Sequence, residues 1–220
     1  MLRLVHLQFD KEKRNGWFRS SLSEHHLGRL YVAEVKDGLV VGKVDAISEV
    51  TDSKVASKVT PVLREATEED LRKMERNIRK ERHASSVFQN RIKKYKLPMK
   101  LVGIESHFSE KKITFYFTSQ ERVDFGSLVK DLARAFKCLI EVRQIGDREK
   151  SKRLGGFGSC GILLCCQSFL KNFEPVTMKM AKEQELPLDS LKLGGMCGKL
   201  LCCLRYELPF YREKKKKTTN

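Results

Sequence analysis

A cysteine heptapeptide that occurs twice constrains this chain more than any other feature. Residues 160–166 read Cys-Gly-Ile-Leu-Leu-Cys-Cys and residues 197–203 read Cys-Gly-Lys-Leu-Leu-Cys-Cys, so the copies differ only at Ile162 and Lys199. Six of the seven cysteines fall in these two copies. An odd cysteine count without an export signal argues against a disulfide framework. The repeat therefore favours thiolate or metal chemistry.

The six repeat cysteines are the candidate ligands of a metal or cluster. They are Cys160, Cys165, Cys166, Cys197, Cys202 and Cys203. Six thiols exceed the four that one tetrahedral zinc ion or one iron–sulfur cluster needs. Structural zinc sites favour a cysteine pair two to four residues apart, whereas adjacent cysteines suit the corners of a larger cluster. We expect one or two iron–sulfur clusters of the 4Fe–4S type, with zinc, a thiol-redox switch or plain buried cysteines as alternatives.

The spacing of the two repeats predicts where they lie relative to each other in the fold. Equivalent positions are 37 residues apart, with Pro175 and Pro187 in between. That length lets the chain travel out and return, so we expect the repeats to lie side by side with their sulfurs gathered together. Each Leu-Leu-Cys-Cys run predicts a short buried helix, with the first cysteine near its N-terminus, where negative charge is stabilised. Cys138 opens a predicted strand elsewhere and is not expected to be a ligand.

Positive charge is in large excess, with 44 Lys and Arg against 28 Asp and Glu and a net charge of +16. Such a balance fits a nucleic-acid-binding surface or only a repulsive, solvated one. No apolar run approaches the roughly 18 residues that a membrane-spanning helix needs, and the first ten residues do not resemble a signal peptide. We therefore expect a cytoplasmic protein without a membrane span that binds RNA weakly, with direct nucleic-acid binding through the basic surface as the alternative function.

The fold class predicted by the chain is α+β. Residues 1–60 predict a β-rich N-terminal region, because β-branched runs there are separated by turn residues. Residues 61–146 predict an α+β domain that opens with a long basic helix over 67–96, marked by a start from Thr67 to Asp70 that resembles a capping box. A strand pair, a second helix and a further strand then complete a helix-hairpin-helix-strand layer.

The remaining residues divide into a cysteine-rich region over 147–207 and a basic tail over 208–220. The tail contains Arg212 and four consecutive lysines, and it has no apolar residue after Tyr211. Because it can bury nothing to offset the entropy of ordering, it is predicted to be disordered. No phosphate-binding loop, zinc-protease motif or nucleophile elbow occurs in the sequence, so we expect a protein without enzymatic activity.

Several stretches resemble the bacterial YaaT family, also called RicT, whose members carry the PSP-one C-terminal domain. The matching residues include Arg122-Val-Asp-Phe125, Glu141-Val-Arg-Gln-Ile-Gly146, Cys160-Gly161, Leu164-Cys-Cys166, and Cys197 through Glu207. The resemblance implies a cytoplasmic regulatory subunit that joins small helical partners of the YlbF and YmcA type in an iron–sulfur-containing complex. It also implies that this complex influences messenger-RNA processing by ribonuclease Y and, through it, sporulation, competence and biofilm formation.

Overall fold

The computed structural model describes residues 2–9, 14–20, 26–35, 38–50, 59–108, 111–170 and 172–218. The chain divides into two compact units, Met1–Gln144 and Ile145–Asn220. Helices and strands are mixed, and the N-terminal part is rich in β-strands, which confirms the α+β prediction at this level.

Five antiparallel strands form the N-terminal sheet of the first unit. Their order is β2-β1-β4-β3-β5, with bounds β1 Leu2–Phe9, β2 Arg14–Ser20, β3 Leu30–Val35, β4 Gly38–Val50 and β5 Val62–Glu65. Alternating residues such as Val5 and Leu7 are fully buried and pack with Phe18, Tyr31 and Val44. Burial of one apolar face is the physical reason for the register of this sheet.

Helix α1, Glu68–Tyr95, follows the sheet and starts at the predicted capping box. The Asp70 N–H donates to the Thr67 hydroxyl, and the Thr67 N–H donates to the Asp70 carboxylate at 2.9 Å. The Arg64 guanidinium also donates two hydrogen bonds to this carboxylate, which is almost completely buried. Those bonds hold the pKa of Asp70 far below its ordinary value, although burial opposes them. The helix start is therefore fixed by a charged, buried cap.

A three-stranded sheet completes the first unit. Its strands are β6 Lys100–Ser106, β7 Lys112–Thr118 and β8 Leu139–Gln144, in the order β6-β7-β8. The pair β6 and β7 is antiparallel, whereas β7 and β8 are parallel because helix α2, Gly126–Phe136, connects them. Phe115 of β7 stacks on Phe88 of α1 with ring centroids 4.7 Å apart, and both rings are fully buried. Cys138 packs against this core, where burial raises its pKa.

The second unit is helical and holds both cysteine repeats. Its helices are α3 Asp147–Leu154, α4 Met178–Glu183, α5 Ser190–Leu193 and α6 Cys203–Thr218. Ala181, Leu193 and Leu204 form its buried core. The buried Gln184 side chain donates a hydrogen bond to the Leu204 carbonyl at 2.5 Å, which satisfies a polar group inside that core.

The prediction of a disordered tail over 208–220 is wrong for the described residues, because α6 continues to Thr218. Arg212 donates to Glu183 at 2.8 Å, and Lys215 forms an ion pair with Glu185 at 2.9 Å. These acidic partners lie at the end of α4 and just beyond it, so the composition of the tail alone does not reveal them. Among the described helices, none has both the length and the apolar character needed to cross a membrane.

Candidate metal centre

Each cysteine repeat folds as a tight loop closed by its own backbone. In the first loop the Gly158 N–H donates to Ile162 O at 2.8 Å, and the Gly161 N–H donates to Gly158 O at 3.0 Å. In the second loop the Gly195 N–H donates to Lys199 O at 2.8 Å, and the Gly198 N–H donates to Gly195 O at 2.9 Å. We call residues 156–166 the first knuckle and residues 193–203 the second knuckle.

In both repeats, the segments on either side of the loop form the same backbone pairing with each other. Phe157 forms an antiparallel bridge with Leu163, and Gly194 forms one with Leu200. Leu164 N–H donates to Gly156 O at 3.1 Å, and Leu201 N–H donates to Leu193 O at 2.9 Å. Every one of these contacts recurs after the 37-residue offset seen in the sequence. The repeated heptapeptide therefore specifies a repeated backbone conformation.

Glycines occupy the positions of each knuckle that a side chain would disturb. Gly161 has φ +77° and Gly198 has φ +74°, in the left-handed region that L-residues rarely adopt. A Cβ on Gly158 would lie 3.3 Å from Cys160 Sγ, and one on Gly195 would lie 3.7 Å from Cys197 Sγ. Gly158 thus avoids a tight contact with the Cys160 sulfur, and the second glycine of the Gly-x-Cys-Gly pattern permits the turn in both knuckles.

The prediction that each Leu-Leu-Cys-Cys run is a helix is wrong. The first knuckle contains bends and turns and no helix, and in the second knuckle helix α6 begins only at Cys203. The leucine N–H groups that a helix would use are instead bonded back across the knuckle. Cys160 and Cys197 therefore lie in turns, not at helix N-termini.

Thiols of the first and second knuckles lie next to each other. Cys165 of the first knuckle and Cys202 of the second are neighbours, close enough for the Cys202 thiol to raise the pKa of Cys165. Burial, and after it the nearby thiols of Cys202 and Cys203, together raise the pKa of Cys165 to about 11. The repeats consequently lie side by side, as their spacing predicts.

Two further thiols belong to the same group. Cys166 is 6% exposed, and its pKa is raised by burial and by the neighbouring Cys202 and Cys197 thiols, while the Arg148 cation opposes the shift. The pKa of Cys203 is raised by burial and by the charge of Glu207. The structure thus links five repeat cysteines, whereas Cys160 is exposed. Arg148 lies in no motif that the sequence analysis recognised, whereas Glu207 ends the stretch that resembles the family without having been assigned a role.

The donor chemistry of this cysteine centre fits a thiophilic metal. Within the described residues, no three His, Cys, Asp or Glu side chains are already arranged to hold a metal ion. For Cys165, Cys166 and Cys203, burial and neighbouring negative charge raise the pKa and so favour the protonated thiol. A metal must displace those protons to bind. The assignment of the six cysteines as ligands therefore remains a prediction.

The fold and the site define a class of proteins in which an α+β unit is followed by a small helical unit with two paired cysteine knuckles. The PSP1 C-terminal conserved region matches residues 60–145, and the third domain of PSP1-like proteins matches residues 175–218. The stage 0 sporulation protein YaaT of Bacillus subtilis is 39% identical over 216 residues, which cover 98% of this chain and 78% of that protein. The chain therefore belongs to the YaaT-like family of PSP1-domain proteins.

A more distant relative covers a smaller part of the chain. An uncharacterized protein of Schizosaccharomyces pombe is 33% identical over 79 residues, which are 36% of this chain and 10% of that protein. No solved structure matches the chain.

Proposed function

We propose that this protein is a non-enzymatic cytoplasmic regulatory adaptor whose paired knuckles hold an iron–sulfur cluster. In this proposal it acts with small helical partners of the YlbF and YmcA type on messenger-RNA processing by an RNase Y-type ribonuclease. Membership of the YaaT-like family supports the regulatory role. The observation that carries the cofactor assignment is the meeting of Cys165 with Cys202, since it joins the two repeats at one centre.

The chain supplies the ligands of this centre and the backbone loops that position them. Cys165 and Cys166 from the first knuckle and Cys202 and Cys203 from the second would provide four thiolates, the number that one 4Fe–4S cluster takes. Cys160 and Cys197 are then available for a second cluster or as alternative ligands. When bound, the cluster supplies redox and oxygen sensitivity. The backbone bonds that close each knuckle hold the sulfurs in place without relying on neighbouring side chains.

Anaerobic purification followed by iron, sulfide and zinc analysis tests the cofactor. We expect iron and sulfide in equal amounts and visible absorption near 400 nm. Serine variants of Cys165, Cys166, Cys202 and Cys203 should each lower the iron content. The matched control is Cys138→Ser, because Cys138 is also partly buried but packs against the core of the first unit. A colourless protein with stoichiometric zinc would contradict the iron–sulfur assignment and favour the zinc alternative.

The adaptor role is tested against direct RNA binding. The net charge of +16 guarantees some attraction to any polyanion. On the adaptor proposal, binding to single-stranded RNA is weak and falls steeply with salt, whereas the protein captures its helical partners in a pull-down with the cluster kept intact. Sub-micromolar RNA affinity that persists at physiological salt would instead support a direct nucleic-acid-binding function.

A further inference from the structure

The second unit contains a cleft of about 430 Å³ beside the cysteine centre. Its wall includes the apolar side chains of Leu170, Val176 and Leu208, the ring of Phe173, and the thiol of Cys202. Three arginines also line it: Arg148, Arg205 and Arg212. This volume lies within the range of small-molecule sites, which are mostly apolar with a few fixed polar groups.

Two of the three arginines already have carboxylate partners. Arg205 donates to Glu174 from Nε at 2.7 Å and from a second nitrogen. Arg212 donates to Glu183 at 2.8 and 3.2 Å. Arg212 thus forms the bidentate pair that arginine prefers with carboxylates, whereas both Arg205 nitrogens donate to the same oxygen of Glu174. Arg148 is different, because it forms no ion pair with any carboxylate in the described part of the second unit.

Arg148 is nevertheless held firmly. Its Nη2 donates to the Leu200 carbonyl at 3.1 Å, and its guanidinium lies over the Phe173 ring at 5.6 Å. Its Nε is buried without a hydrogen-bond partner. A partly buried cation without a counter-charge is costly, so a ligand that supplies a carboxylate would be stabilised there.

We propose that this cleft is a binding site for a small apolar carboxylate, such as an aryl- or alkyl-carboxylic acid. Nη hydrogens of Arg148 that do not bond Leu200 donate to the ligand carboxylate. Leu170, Val176 and Leu208 contact the hydrocarbon part. Because Cys202 forms part of the same wall, the bound ligand lies next to the cysteine centre, and occupancy of the cleft is coupled to access to that thiol.

Calorimetric titration of the full-length, reduced, metal-free protein with 3-phenylpropionate tests the site at physiological salt. The neutral isostere 3-phenylpropanamide serves as the ligand control. We expect the carboxylate to bind at least tenfold more tightly than the amide, because only the carboxylate compensates Arg148. Equal binding of the two compounds, or no binding of either, would overturn the proposal without any need for a variant.

Arg148→Met should weaken 3-phenylpropionate binding at least tenfold, and Arg148→Lys should have an intermediate effect because it keeps the charge but loses the planar fork. The matched control is Arg134→Met, which removes one charge from a side chain that is 80% exposed on α2. Circular dichroism verifies that each variant is folded. If Arg148→Met binds 3-phenylpropionate as well as Arg134→Met does, the ligand is attracted by the general positive charge of the protein, and the assignment of Arg148 as its binding residue is wrong.

Alkylation of Cys202 by iodoacetamide, followed by mass spectrometry, locates the ligand. Saturating 3-phenylpropionate should slow modification of Cys202 and leave Cys138 unaffected. Unchanged modification of Cys202 would place the ligand elsewhere and refute the site. All of these measurements use metal-free protein, so the cleft and the iron–sulfur proposal can fail independently.

Discussion

The left-handed glycines of the knuckles allow the energetic cost of this loop geometry to be measured. Gly161 and Gly198 have φ +77° and +74°, and a Cβ built on either meets no atom within 4 Å. An alanine there meets only backbone strain, which costs about 1–2 kcal/mol in the left-handed region. Replacing glycine also lowers the entropy of the unfolded chain, which offsets about 0.4–1 kcal/mol. We expect Gly198→Ala to lower the free energy of unfolding by about 1 kcal/mol.

A graded series at each glycine separates backbone strain from other effects. Asparagine tolerates the left-handed region, whereas a β-branched residue is the least tolerant of it. The loss of unfolding free energy should therefore increase from Gly198→Asn to Gly198→Ala to Gly198→Val, and the Gly161 series should follow the same order. Urea unfolding of the reduced, metal-free protein, followed by circular dichroism, measures these losses. Iron content after anaerobic purification should decrease in the same order.

Agreement between the two series is the critical result, because the knuckles share every backbone contact described above. If valine costs no more than asparagine at both positions, the knuckles do not require positive φ. The account of why the repeat contains these glycines would then be wrong.

Three further predictions concern the rest of the fold. Asp70→Ala should lower the free energy of unfolding by about 2–4 kcal/mol in urea, because it removes a buried helix cap with charged hydrogen bonds. Glu68→Ala, at an exposed side chain of the same turn, should change that free energy by less than about 0.5 kcal/mol. Since the Arg64 hydrogen bonds lower the pKa of Asp70 in the folded state, its contribution is present above the ordinary value of 3.8 and should be lost as the pH falls toward the folded pKa. Phe88→Ala should lower the free energy of unfolding by about 3–5 kcal/mol, because it opens a cavity against Phe115. An unchanged melting temperature in calorimetry would contradict the stacked core. Deletion of residues 212–220 should lower the melting temperature, because it shortens α6 and removes the ion pair of Arg212 with Glu183; equal melting temperatures would instead support a disordered tail.

Local signals in the sequence were sufficient for several elements of the fold. The start of α1 follows from Thr67 and Asp70, whose reciprocal bonds depend only on residues three apart. The contact of the two cysteine repeats also follows from the sequence, because two nearly identical segments separated by enough chain to return can pack together. The contact between Cys165 and Cys202 agrees with that reasoning.

Interactions between distant residues account for the two failures. Apolar content alone predicts a helix at Leu163-Leu164, but the Leu164 N–H bonds back to Gly156, so the glycines before the cysteines decide the conformation. The composition of the basic end of the chain does not reveal that Glu183 and Glu185 form ion pairs with it. Arg148 is likewise separated from Cys166 and Leu200 by stretches that no local pattern connects.

Closure of each knuckle by its own backbone has a consequence for biosynthesis. Translation proceeds at about 5–20 residues per second, so the second knuckle emerges about 2–7 seconds after the first. During that interval the first loop can already be closed while its thiols have no partners from the second. The cysteine centre therefore comes together only after Cys203 has been synthesised, and a ribosome that stalls before that point presents half of the thiols to solvent.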